Sequence, residues 1–143
     1  MTINYIILFI IIIIAFLTDI KKKIIPNMLT YSGITFGLIY HTVSEGLTGF
    51  LNSLLGMTIG FILLGIIYLF KAIGAGDVKL FAAIGALTNM QFVLQSVVYS
   101  VIYGGLIGIF IIIYKRKIHN YDFPFMLAIL PGILTAYYYM VIL

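Results

Sequence analysis

The sequence predicts an all-α membrane protein of six transmembrane helices, and three observations carry that reading. Of its 143 residues, 64% are hydrophobic and only 8% charged, against about 45–50% apolar and about 25% charged in soluble domains. Such a chain cannot cover its own core with a polar surface. A bilayer span takes roughly 20 apolar residues of helix, so the length holds about six crossings, with nothing left for a soluble domain beside them. Finally, all eight Lys and Arg fall in alternate breaks between apolar runs. Residues 1–143 therefore read as a single polytopic domain.

The first helix spans about residues 3–19. It reads as a retained helix and not as an obvious signal peptide, because the residues before it carry no side-chain charge and the basic cluster follows the apolar run. The break at 19–27, with Lys21, Lys22 and Lys23, leads to helix two at 27–44. Ser44-Glu45-Gly46 separates this from helix three at 47–70. A break at 71–79 precedes helix four at 77–88, a polar stretch at 88–91 precedes helix five at 91–114, and a break at 115–121 precedes helix six at 123–143. The first, third and fifth breaks hold the basic residues. By the positive-inside bias these face the cytoplasm, which leaves both termini outside.

Small residues recur at four-residue spacing in Gly33/Gly37, Gly56/Gly60 and Gly104/Gly108. Such pairs let helix backbones approach closely in lipid, where apolar surface alone gives helices little reason to associate. Helix four is anomalous. A dozen residues reach about 18 Å, against a hydrocarbon thickness of about 30 Å. Either the 71–76 segment dips below the membrane surface to meet it or the bilayer thins locally. Non-helical backbone at that depth must be buried in protein or line a wet cavity, and Gly74-Ala75-Gly76 has the conformational freedom for this.

The absence of cysteine excludes disulfides, thiol nucleophiles and thiolate metal sites, and His41 and His119 have no partner pattern, so neither metal nor cofactor is expected. The basic residues report topology, and no nucleic-acid partner is expected. Only four carboxylates remain. Glu45 is explained by a solvated turn, and Asp122, two residues before Pro124, by an N-cap. Asp19 ends helix one at its negative pole, where an anion is mildly disfavoured, although Lys21 to Lys23 can shield it. Asp77 opens helix four directly after Gly74-Ala75-Gly76, as an N-cap or as something more.

The topology brings Asp19 and Asp77 to the same depth at the cytoplasmic ends of their helices. Two aspartates facing one water-accessible cleft cannot both ionise easily, so their pKa values separate. The ionised one can then take a proton from water while the protonated one polarises a carbonyl oxygen, which is peptide hydrolysis by general acid and base without a covalent intermediate.

Gly74-Ala75-Gly76-Asp77-Val78-Lys79 resembles the Gly-x-Gly-Asp-x-Lys signature of the prepilin peptidases, aspartic membrane proteases that process type IV pilins and related prepilin-like proteins. Asp19, the basic turn and Ile25-Pro26-Asn27 resemble the stretch around that family's other aspartate, and Phe123-Pro124-Phe125 resembles its entry to the last helix. The resemblance implies Asp19 and Asp77 as the catalytic pair, with Gly74, Gly76, Lys79, Pro26 and Asn27 as supporting motif residues. It implies a peptidase of the bacterial cytoplasmic membrane, its site facing the cytoplasm. The substrate would be a prepilin with a basic leader and one hydrophobic helix, cut between a glycine and a hydrophobic or aromatic residue. Longer family members carry an N-terminal region with a cysteine tetrad associated with methylation. This chain, without cysteine, resembles the short, peptidase-only branch similar to those serving tight-adherence pili. The rival readings are a small proton- or ion-coupled transporter or channel subunit using the same acids, and a non-enzymatic pilus-assembly scaffold. Oligomeric state is not legible.

Overall fold

The computed structural model describes residues 3–115 and 125–142. These are helical almost throughout, with no strand among them: α1 (Ile3–Lys22), α2 (Asn27–Leu69), α3 (Ala75–Leu87), α4 (Met90–Lys115) and α5 (Met126–Tyr137), the last continued by a π-helical turn at Tyr138–Ile142. Three stretches are long and apolar enough to cross a membrane, Ile3–Lys22, Asn27–Leu69 and Met90–Tyr114.

The two helices expected on either side of Ser44-Glu45-Gly46 run together as α2, broken at Gly46, whose φ of 66° and ψ of −142° are far from helical. Glycine adopts that conformation without a Cβ penalty. The chain reverses there. Along α2, Gly33 abuts Ala83 and Gly37 abuts Ala86, whereas Gly56 abuts Gly85 and Gly60 abuts Phe81. The first arm, 27–45, therefore runs parallel to α3 and the second, 47–69, antiparallel to it.

The short α3 is the centre of the molecule. Leu80, Phe81, Ala83, Ile84, Ala86 and Leu87 are fully buried, as befits a helix that is apolar all round. At 13 residues it covers about 20 Å, so its C-terminal carbonyls end inside the protein, where each needs a partner. Thr88 Oγ1 donates to the Ile84 carbonyl at 2.7 Å and Ser53 Oγ to the Ala86 carbonyl at 2.7 Å, while His41 Nε2 lies 3.2 Å from the Leu87 carbonyl. The remaining one, of Gly85, lies directly against Gly56. Neighbouring side chains thus reach three of the four terminal carbonyls, which water would otherwise have to solvate.

Glycines make this close packing possible at Gly33, Gly37, Gly56 and Gly60, and Gly104 packs on the Phe125 ring and Ala128. Gly108, expected to act with Gly104, has no described residue within 4 Å of where a Cβ would stand. The α4–α5 pair is closed by Ser100 against Gly132 and by a 3.1 Å hydrogen bond between Tyr103 Oη and Thr135 Oγ1. The turn into α4 is capped by Asn89, whose Oδ1 accepts the Phe92 N–H at 2.9 Å.

The end of α1 and the start of α5 each differ from expectation by three residues. Helix α1 continues to Lys22, so Asp19 sits one turn inside its end; the Lys23 N–H bonds the Asp19 carbonyl at 2.8 Å, and Lys21 and Lys22 complement the negative pole. Helix α5 begins at Met126. The expected cap at Asp122 and the neighbouring Pro124 lie outside the described residues.

Candidate active site

The elements that approach the 23–27 turn build one cleft. It has a volume of about 320 Å³, and its walls include Asp19, Lys23, Ile25 and Asn27 from the α1–α2 junction and Gly74, Gly76, Asp77 and Lys79 from the start of α3. Residues 58 positions apart in the chain thus meet at one end of the bundle. Six of the seven residues singled out in the sequence line this space. The seventh, Pro26, does not: it is the N-cap of α2, with φ of −62° and ψ of 129°, and its carbonyl accepts the N–H groups of Leu29 and Thr30.

Helix α3 brings Asp77 to the cleft. Gly74 is the N-cap and Asp77 the third helical residue, not the cap itself as the sequence suggested. Its Oδ2 reaches back to accept the Gly74 N–H at 3.1 Å, the half of a capping box that an acid at this position supplies. The carboxylate is thereby fixed in direction while remaining only 7% exposed.

Gly76 explains how the two segments come so close. A Cβ there would stand 3.2 Å from the Ile25 Cβ, so any larger residue would hold the 23–27 turn away from α3. Ile25 itself is buried against this helix.

Asp19 is half-buried on the opposite wall. The start of α5, at the main-chain N–H of Met126, and Lys23 both act on it as nearby positive groups. The positive pole of α5 thus offsets the unfavourable pole of α1. Its Oδ2 is buried with no hydrogen-bond partner among the described residues. The two carboxylates are close enough to repel one another. Lys79 lines the same cleft, its Nζ donating to Asn27 Oδ1 at 2.9 Å and lying 5.9 Å from the centre of the Tyr31 ring.

Three contributors escaped sequence reasoning. Ile25 had a signal, lying within the quoted Ile-Pro-Asn, but its contact with Gly76 is tertiary. Tyr31 and the Met126 amide had none, since nothing local marks a ring that will lie beside a lysine 48 positions on or a helix start that will face Asp19.

Comparison with known proteins identifies the family of the chain. The chain is 32% identical over 129 residues to the prepilin leader peptidase/N-methyltransferase of Bacillus subtilis, covering 89% of this chain and 52% of that protein. It is 34% identical over 84 residues to the protein of the same name from Vibrio cholerae, covering 54% and 33%. The chain thus spans about half the length, or less, of these relatives. No solved structure matches it significantly. Residues 6–112, which hold both aspartates, the glycines between them and the basic turn, match the type IV leader peptidase family, and the chain belongs to that family.

Proposed function

We propose that this chain is an aspartic endopeptidase that removes the leader peptide of type IV prepilins or prepilin-like proteins at the cytoplasmic face of a bacterial membrane, with Asp19 and Asp77 as the catalytic pair. The observation that carries this reading is the shared cleft: the only two aspartates among the described residues line one space together with the Gly-Ala-Gly segment. The names of the similar proteins support the peptidase activity; the proposal takes up the hydrolytic part of those names alone.

In the mechanism, one carboxylate is ionised and the other protonated. The ionised aspartate accepts a proton from a water molecule as its oxygen bonds the scissile carbonyl carbon, and the protonated one donates to the carbonyl oxygen. The tetrahedral intermediate collapses with cleavage of the C–N bond: the aspartate that took the proton from water gives it to the leaving amine, the other takes back the proton of the hydroxyl that re-forms the carbonyl, and both return to their starting states. The unpartnered Oδ2 of Asp19 is suited to hold such a water, since a buried acceptor without a protein partner calls for one.

Five lysines gather at this end of the bundle, Lys21, Lys22, Lys23, Lys71 and Lys79, while Glu45 lies at the α2 reversal. This favours the cytoplasm for the cleft and, with six crossings, the outer side for both termini. A substrate anchored by its own hydrophobic helix would present its basic leader at the same level, and confinement of both partners to the membrane plane lowers the orientational cost of their encounter. A proton or ion path would require a further acid deeper in the membrane, and among the described residues none lies between the cleft and Glu45.

The test is co-expression with a prepilin. The wild-type chain is expected to shorten it by its leader, and Asp19→Asn or Asp77→Asn each to abolish the shift while the protein still inserts. Cleavage at the normal rate by either variant would overturn the paired-aspartate mechanism.

A further inference from the structure

Lys79 has no role in the proton transfers above, yet it is half-buried at the cleft and held from two sides. Its Nζ donates to Asn27 Oδ1 at 2.9 Å, across 52 positions of sequence, and rests 5.9 Å from the centre of the Tyr31 ring. Asn27 is the first residue of α2, and Tyr31 lies one turn further on. Only residues 23–26 separate Asn27 from the end of α1, and the ring of Pro26 among them fixes φ, so a displacement of Asn27 is passed over a short span to the helix that carries Asp19. Lys79 stands two residues after Asp77 on the same short helix.

We propose that Lys79 is a positioning residue whose hydrogen bond to Asn27 ties the aspartate-bearing start of α3 to the aspartate-bearing end of α1 and so sets the separation of the two carboxylates. The proposal rests on the reading of Asp19 and Asp77 as the catalytic pair. The bond joins the cleft's two walls directly. The contact of Ile25 with Gly76 limits how closely those walls approach, but an apolar contact resists separation weakly and in no set direction. A charge-assisted hydrogen bond is shorter, stronger and directional, and Tyr31 limits where the ammonium can swing. The arrangement also accounts for Asn27: a side-chain carbonyl is an acceptor of fixed direction that adds no negative charge next to two carboxylates.

The distinguishing property of such a tie is that its two ends act as one. Steady-state kinetics of the full chain on a purified prepilin in lipid nanodiscs are the test. A displacement of about 1 Å in a catalytic group can lower a rate on the order of 100-fold. Lys79→Met and Asn27→Ala are each expected to lower kcat about 10- to 100-fold with KM within about twofold of wild type. The double variant should fall no further than the worse single one. Lys79→Arg, which keeps a cationic donor for the Asn27 carbonyl, should recover part of kcat.

Asn27 is exposed, so Asn27→Ala is expected to fold even if Lys79→Met does not, and it carries the test alone in that case. Wild-type kcat in Asn27→Ala overturns the proposal. So does a multiplied loss in the double variant, which would mean independent roles, or a rise in KM with kcat unchanged, which would mean that Lys79 binds substrate. Failure of the wild-type chain to cleave any prepilin would instead refute the parent reading.

Discussion

Gly56 and Gly85 lie back to back, and a Cβ added to either would collide with the carbonyl of the other. Here the second arm of α2 meets the buried helix that carries Asp77 backbone to backbone. Because both obstacles are backbone, neither can yield by changing rotamer. Gly56→Ala and Gly85→Ala are therefore expected to destabilise the protein by about 1–3 kcal/mol or more, the range for overpacking a tight core. Gly65→Ala, also on α2 but with open space around it, should be neutral or gain up to about 1 kcal/mol of helix propensity. Thermal unfolding in detergent micelles distinguishes them, and equal effects at Gly65 and Gly56 would refute the close approach.

The end of α3 gives a second expectation. Ser53 Oγ donates to the Ala86 carbonyl at 2.7 Å, and both groups are buried. Ser53→Ala leaves that carbonyl without its side-chain partner and should cost about 1–3 kcal/mol, whereas Thr58→Ala, which removes an exposed hydroxyl bonded within its own helix, should change stability little. The same melting experiment reads both.

How far the sequence foretold this is uneven, and the reason is range. The helix positions were legible because apolar runs are cut by glycine, lysine and polar residues, each of which acts locally. Asp19 and Asp77 were legible because so few carboxylates occur in so apolar a chain. The partners of the α3 carbonyls were not: Ser53 acts across 33 positions and His41 across 46, and no local pattern marks either. The four-residue glycine spacing states which face a glycine shares and not whether another helix will cover it: Gly104 meets Phe125 and Ala128, whereas Gly108 meets no described residue.

Gly76 is expected to govern activity more than stability. Its missing Cβ leaves room for Ile25 at 3.2 Å, a distance at which the neighbour must give by a few tenths of an ångström. Gly76→Ala should displace the 23–27 turn and lower kcat by at least tenfold, by the sensitivity of rate to misplacement on the order of 1 Å. Gly74 has no such neighbour, the nearest heavy atom to its would-be Cβ being Asp77 Oδ2 at 3.5 Å, so Gly74→Ala should be milder. Kinetics on a prepilin test the order of the two effects.

Two carboxylates with opposite duties impose a limit on each side of the pH profile. As pH falls, the aspartate that accepts the proton from water becomes protonated and the rate is lost. As pH rises, the aspartate that donates to the carbonyl oxygen ionises and the rate is lost again. A bell-shaped dependence of kcat is expected, its two limbs belonging to the pair and not to single residues. A profile with only one limb between the pH extremes at which the protein unfolds would contradict the division of labour.

The last expectation concerns the turn into α3. Lys71 holds φ at 57°, the left-handed region that disfavours side chains with a Cβ by about 1–2 kcal/mol. The position follows the end of α2, and its N–H bonds the Tyr68 carbonyl at 2.8 Å, so it is the kind of helix end at which glycine is commonest. Lys71 is exposed and does not line the cleft, which separates its backbone role from the chemistry. Lys71→Gly should raise the thermal midpoint by relieving part of that strain and leave cleavage unchanged, whereas Lys71→Ala, which keeps the Cβ, should bring no such gain. If Lys71→Ala stabilises as much as Lys71→Gly, the lysine's charge and not backbone strain is what destabilises this turn.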